Sequence, residues 1–188
     1  VSDLKALGPA GTKAMIDMLD DADKESRFLA ARILESLGDP AAVPALLAAA
    51  LKEGESEMVV SQASHAIALM DHPSVVEPCR EIYEKASNEG ARVNALFGWA
   101  RHGDPKGLSE AVRFIADEKN SEMMRDAIGQ GFLFLADDRA MSVADAYVDA
   151  RRSNGQVAML AVSYYERIGS PAARARLRAL ADDPKVPQ

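Results

Sequence analysis

The chain has 188 residues and a net charge of −7, from 22 Lys+Arg against 29 Asp+Glu. That balance excludes a nucleic-acid grip, which needs basic side chains clustered against phosphate. Hydrophobic residues make up 48% and supply a sizeable core, yet no apolar run reaches the ~18 residues of a membrane span, and the single Cys79 excludes an internal disulfide.

Much Ala, Leu, Glu and Arg with only 5% aromatics argues for helix throughout. Residues 4–8, "LKALG", read as the tail of a helix whose repeat is cut off. Turn prolines then follow at Pro9, Pro40, Pro73, Pro105 and Pro171, and Arg139 stands in one further turn. The spacings are 31, 33, 32, 34 and 32. Each interval holds one more polar break, such as "DDADKES", "KEGESE" and "KASNEG". A unit is therefore a helix A, a short turn, a helix B and a proline turn. Gly suits the left-handed position after a helix, and Pro suits a first turn. Pro44 and Pro78 leave two starts open for their A helices, at the turn proline or after a short initial turn.

Aligned B helices give a column of small residues: Ala30, Ala63, Ala95, Gly129 and Ala161. Four residues on come Leu34, Ile67, Trp99, Leu133 and Tyr165, and three further Leu37, Met70, His102, Ala136 and Ile168. Positions i, i+4 and i+7 share one face, so these form the buried seam. Helix A supplies Met15 and Leu19, then Val43, Leu46 and Leu47, then Val76, Cys79 and Ile82, then Leu108, Val112 and Ile115, then Val143 and Tyr147, then Leu177 and Leu180. One hairpin cannot bury such a face alone, and stacked neighbours can. Repeats are expected at about 9–38, 40–71, 73–103, 105–137, 139–169 and a half repeat at 171–183, in one domain and as a right-handed superhelix. The terminal helix, with Arg174, Arg176 and Arg178, suits a polar cap.

By its period, its paired helices and the segment "LGDPAAVPALLAAAL" at 37–51, the chain resembles HEAT-like repeats of the short bacterial type, also found in phycobilisome lyase subunits. The resemblance implies an all-α fold, a HEAT-like α-solenoid, over about residues 4–183. It implies fold far more than function. Asp20 with Arg27, and Asp117 with Arg125, loosely match the family's turn Asp and early helix-B Arg.

Enzymes on this fold carry motifs that the sequence can be read against. Deoxyhypusine hydroxylase uses His-Glu pairs to hold two irons; His65, His72 and His102 are not followed by Glu and have no i, i+4 partner for a helical metal site. Alkylpurine DNA glycosylases need a basic groove. The lyases offer no motif to match. "GQGF" at 129–132 lacks the third Gly of a phosphate loop, and the Asp pairs read as helix-end solvation. Cys79 reads as a buried thiol. No catalytic residue, metal or cofactor is expected.

In the family that the chain resembles, helix B lines the concave side. Opposite the small column, helix B carries Phe28, Arg32 and Glu35, then His65, then Phe97, then Phe134, then Met159 and Glu166. These rings either fill gaps between neighbouring B helices or form a groove. The expectation drawn is a non-enzymatic scaffold that binds a protein or peptide there, around Phe97 and Phe134, with no nucleic acid or membrane as partner. The alternatives are a lyase-type or other enzyme subunit with a ligand or chromophore in that groove, or a structural piece of a longer array.

Residues 1–150 carry 15 Lys+Arg against 26 Asp+Glu, and residues 151–188 carry 7 against 3. That asymmetry suits head-to-tail association or flanking repeats outside the chain, and the second is favoured; the oligomeric state is left open. No signal-peptide pattern opens the chain, which begins mid-motif at Val1, and a cytoplasmic location is expected.

Overall fold

A computed structural model describes residues 8–135 and 137–186. The tail at residues 4–7 and the seam position Ala136 lie outside them. Eleven α-helices and no strand occur among the described residues. They are α1 (Pro9–Met18), α2 (Lys24–Leu37), α3 (Val43–Leu51), α4 (Glu57–Leu69), α5 (Val76–Lys85), α6 (Glu89–Arg101), α7 (Pro105–Ala116), α8 (Glu122–Leu135), α9 (Met141–Ala150), α10 (Gly155–Ile168) and α11 (Pro171–Ala181).

The repeated turn has a simple chemistry. Asp39 accepts from the Ala41 N–H at 3.0 Å, and Asp104 from Lys106 and Gly107 at 3.0 and 2.9 Å. A carboxylate before the turn thus satisfies N–H groups that the new helix leaves unpaired. At the junction without proline, Asp137 does the same for Arg139 at 2.9 Å. The two open starts resolve alike. A 3-10 turn covers Pro40–Ala42 or Pro73–Val75, and the α-helix follows from Val43 or Val76. Gly38 and Gly169 close α2 and α10 with φ of 66° and 63°, a region that costs glycine nothing.

The chain divides into two compact units between His102 and Gly103. In the first, α4 packs between α2 and α6, while α3 and α5 pack on α4 and α6. In the second, α9 packs on α7 and α8, and α10 packs on α8 and α11. Each unit is a stack of helical hairpins, the α-solenoid arrangement.

The small column is buried at every position, as are Leu34, Ile67, Trp99, Leu133 and Tyr165. Smallness matters most where backbones approach. A Cβ on Gly98 would meet Ala68 Cα at 2.6 Å and Cys79 Sγ at 2.7 Å, so the close approach of α6 to α4 at this point needs a residue without a side chain. A Cβ on Gly129 would enter the Tyr147 ring. Burial pushes the Cys79 thiol up to about 12, which keeps it protonated and unreactive at neutral pH.

Hydrogen bonds lock the seams at different places. In the first unit, Arg27 Nη2 meets Glu55 Oε1 at 2.6 Å, and Arg27 Nη1 donates to the Asp21 and Ala22 carbonyls at 2.8 and 3.1 Å. Glu55 is 1% exposed and also accepts from the Ser56 N–H at 2.8 Å. In the second unit, the buried Tyr165 hydroxyl donates to Asp145 Oδ1 at 2.5 Å, and Arg176 bridges Asp145 and Asp149 at 3.1 and 2.8 Å. Tyr164 donates to the Asp137 carbonyl at 3.0 Å.

Candidate functional site

The expected groove residues fall in both units. Phe28, Arg32, Glu35, His65 and Phe97 belong to the first, and Phe134, Met159 and Glu166 to the second. Phe28 and Phe97 are half-buried, whereas Phe134 is 63% exposed. Arg32 and Glu166 are exposed.

In the first unit, Phe28 and His65 share a cleft of about 360 Å³ with Met58, Ser61, Gln62 and Asn94. Three successive B helices supply these residues: Phe28 from α2, four from α4 and Asn94 from α6. The cleft is therefore made by lateral stacking, and each wall comes from a different repeat. Glu35, at the end of α2, reaches its edge.

Glu35 Oε2 lies 3.1 Å from His65 Nδ1 and accepts from Gln62 Nε2 at 2.6 Å. Thirty residues separate Glu35 from His65, one repeat length. The side chains are 26% and 43% exposed, so the pair is held by protein on one side and open to the cleft on the other. A carboxylate only accepts, so the bond puts the imidazole proton on Nδ1. Nε2 makes no hydrogen bond among the described residues. Asn94 Nδ2 donates to the Ser61 carbonyl at 3.2 Å, which fixes the far wall.

No motif along a single helix signals this pair, because the contact runs between neighbouring helices and not between positions i and i+4 of one. Gln62, Met58 and Asn94 were missed for the same reason. The signal available was the period itself: one repeat beyond Ser61 lies Asn94, 33 residues on.

The second unit holds a different cleft, of about 870 Å³, between α10 and α11. Met159, Val162, Ser163, Leu177, Leu180 and Val186 are among its lining. A polar cleft of about 590 Å³ sits at turns of the first unit, lined by Lys52, Glu53, Glu57 and Lys85. Its lysines are already paired, Lys52 with Glu55 and Lys85 with Glu81. Among the described residues no group of three or more His, Cys, Asp or Glu could hold a metal, and no helix is long and apolar enough to cross a membrane.

Residues 12–92, all within the first unit, match the family described as HEAT repeats. No curated protein matches the sequence. Among solved structures, the chain is similar to human deoxyhypusine hydroxylase in complex with glycerol, at 16% identity and a TM-score of 0.50, over 97% of this chain and 82% of that one. An identity this low carries the fold and no residue role.

The likeness corrects one expectation. A non-enzymatic scaffold was expected because no catalytic motif was visible on an array fold. A helical array similar over 97% of this chain's length belongs to a protein named as an enzyme, so the fold is no ground for setting catalysis aside. The absence of a contiguous motif is no ground either. Polar side chains of an array can meet from successive repeats, as Glu35 and His65 do.

Proposed function

We propose that the first unit is an acid–base catalytic module acting on a small acyl substrate seated against Phe28, Met58 and His65. The Glu35–His65 pair, drawn from neighbouring repeats and open to a cleft, carries this reading. His65 Nε2 takes a proton from a water as the water oxygen attacks the acyl carbon. It returns that proton to the departing oxygen. Glu35 holds the ring and stabilises the imidazolium in between. Gln62 anchors the carboxylate, so Glu35 is a positioning residue. Phe28 and Met58 offer an apolar surface, which suits an ester with an aromatic or aliphatic group. The resemblance of residues 37–51 to repeats of lyase subunits, and the enzyme that shares the fold, support an enzyme subunit as the class. HEAT repeats commonly mediate protein interactions, and exposed Arg32, Phe134 and Glu166 are assigned to contacts with a partner subunit.

Hydrolysis of p-nitrophenyl acetate and larger aryl esters by the purified chain tests the proposal. Wild type exceeds His65→Gln by roughly tenfold or more, and Glu35→Gln falls between them. His72→Gln, in an exposed turn, keeps the wild-type rate and controls for an ordinary imidazole. Equal rates for wild type and His65→Gln overturn it.

A further inference from the structure

We propose that the cleft between α10 and α11 binds an anionic amphiphile, an apolar chain or ring with a carboxylate or sulfonate head. The site is independent of the Glu35–His65 pair and lies in the other unit. Its volume of about 870 Å³ falls within the ~300–1,000 Å³ of small-molecule sites. Met159, Val162, Leu177, Leu180 and Val186 make the lining apolar, with Ser163 as one hydroxyl. Met159 is 71% exposed and Val162 40%, so large apolar side chains face water where a ligand would cover them.

Charge selects the occupant. Arg174 stands three residues before Leu177, and Arg178 three before Ala181, one helical turn from lining residues. Lys185 adjoins Val186. All three are exposed, and none makes a side-chain ion pair among the described residues. The other basic side chains nearby are committed. Arg176 holds Asp145 and Asp149, Arg152 holds Asp149 and Asp183, and Arg167 donates to the Leu133 and Phe134 carbonyls. The opposite rim carries Glu166, three residues after Ser163. The anionic head therefore lies at the α11 rim, and the chain or ring lies along Met159 and Val162.

The probes are laurate and dodecanol, equal in chain and different in head. Isothermal titration of the full chain with laurate gives one site per chain. Val162→Asp and Met159→Asp, both at exposed positions and each checked for helix by circular dichroism, weaken laurate about tenfold or more. Arg174→Gln/Arg178→Gln weakens laurate several-fold and leaves dodecanol unchanged. The proposal is overturned if laurate does not bind, if both Asp variants bind it as wild type does, or if the double Arg variant keeps full laurate affinity. It is also overturned if sedimentation shows a dimer that Val162→Asp abolishes, because a second copy then covers the cleft.

Discussion

The two units build the same hairpin stack from different materials. The first fills its seams with Ala, Val, Leu and Ile around one Trp, and puts its strongest polar lock at the turns, where Arg27 meets Glu55. The second buries Phe132, Tyr147, Tyr164 and Tyr165, and puts its polar locks inside the seam, where tyrosine hydroxyls must find acceptors. Small aliphatic seams allow close helix approach and leave side-chain polarity for the surface, where the Glu35–His65 cleft forms. The second unit's cleft is instead apolar, lined by Met159, Val162, Leu177 and Leu180. The lesson is that a period specifies the stack, while the residues outside the seam columns specify what kind of cleft the stack leaves.

The glycines sharpen this most. Gly129→Ala and Gly98→Ala each cost about 1–3 kcal/mol by overpacking, read as a fall in the denaturant midpoint. Their rescue differs. The obstacle at Gly129 is a ring, so Tyr147→Leu recovers part of the loss in a double-mutant cycle. The obstacle at Gly98 includes the Ala68 backbone, so Cys79→Ala recovers nothing. Equal rescue in both units breaks the distinction between ring-spaced and backbone-spaced seams.

A smaller effect falls on the Tyr165 lock. Asp145→Asn keeps an oxygen for the Tyr165 hydroxyl and loses the charge facing Arg176. The cost is about 1 kcal/mol in the denaturant midpoint, and added salt shrinks the gap from wild type. Asp145→Leu costs more, since it strands a buried hydroxyl. A midpoint unchanged in both variants removes the polar lock from the account of the second unit.

Much of the fold was legible in the sequence, and for one reason. The column through Ala30, Ala63, Ala95, Gly129 and Ala161, and the large residues four positions on, follow from helical geometry within each repeat, and all are buried. The turn prolines were legible too, but at the junction without one the expected place was Arg139, whereas Asp138 opens the turn and Asp137 caps it, one residue earlier than the spacing implied. The candidate site was legible only as separate residues. Glu35 and His65 were named for a groove, but their meeting depends on how far one B helix slides along the next. Gly98 was missed on the same ground, because its contact with Ala68 also runs between repeats.

The smallest effect is the acid response of the first unit's turn lock. The Arg27 guanidinium, by its hydrogen bond, holds the Glu55 carboxyl below its ordinary value of 4.5, against the opposing pull of burial. A carboxyl depressed on folding contributes stability that is fully present above its unfolded value and is lost as pH falls through its folded one. Wild type is therefore more stable than Glu55→Gln at neutral pH, and the two converge in acid below that range. Both proteins lose stability in acid as Asp39, held down by the Ala41 N–H and Thr12, and Asp137, held down by Arg139, take up protons; that loss is common to the two and cancels in the gap between them. Thermal unfolding followed from neutral pH to about pH 3 reads the difference. A constant gap across that range means that Glu55 acts by packing alone, and the charge lock then no longer separates the first unit from the second.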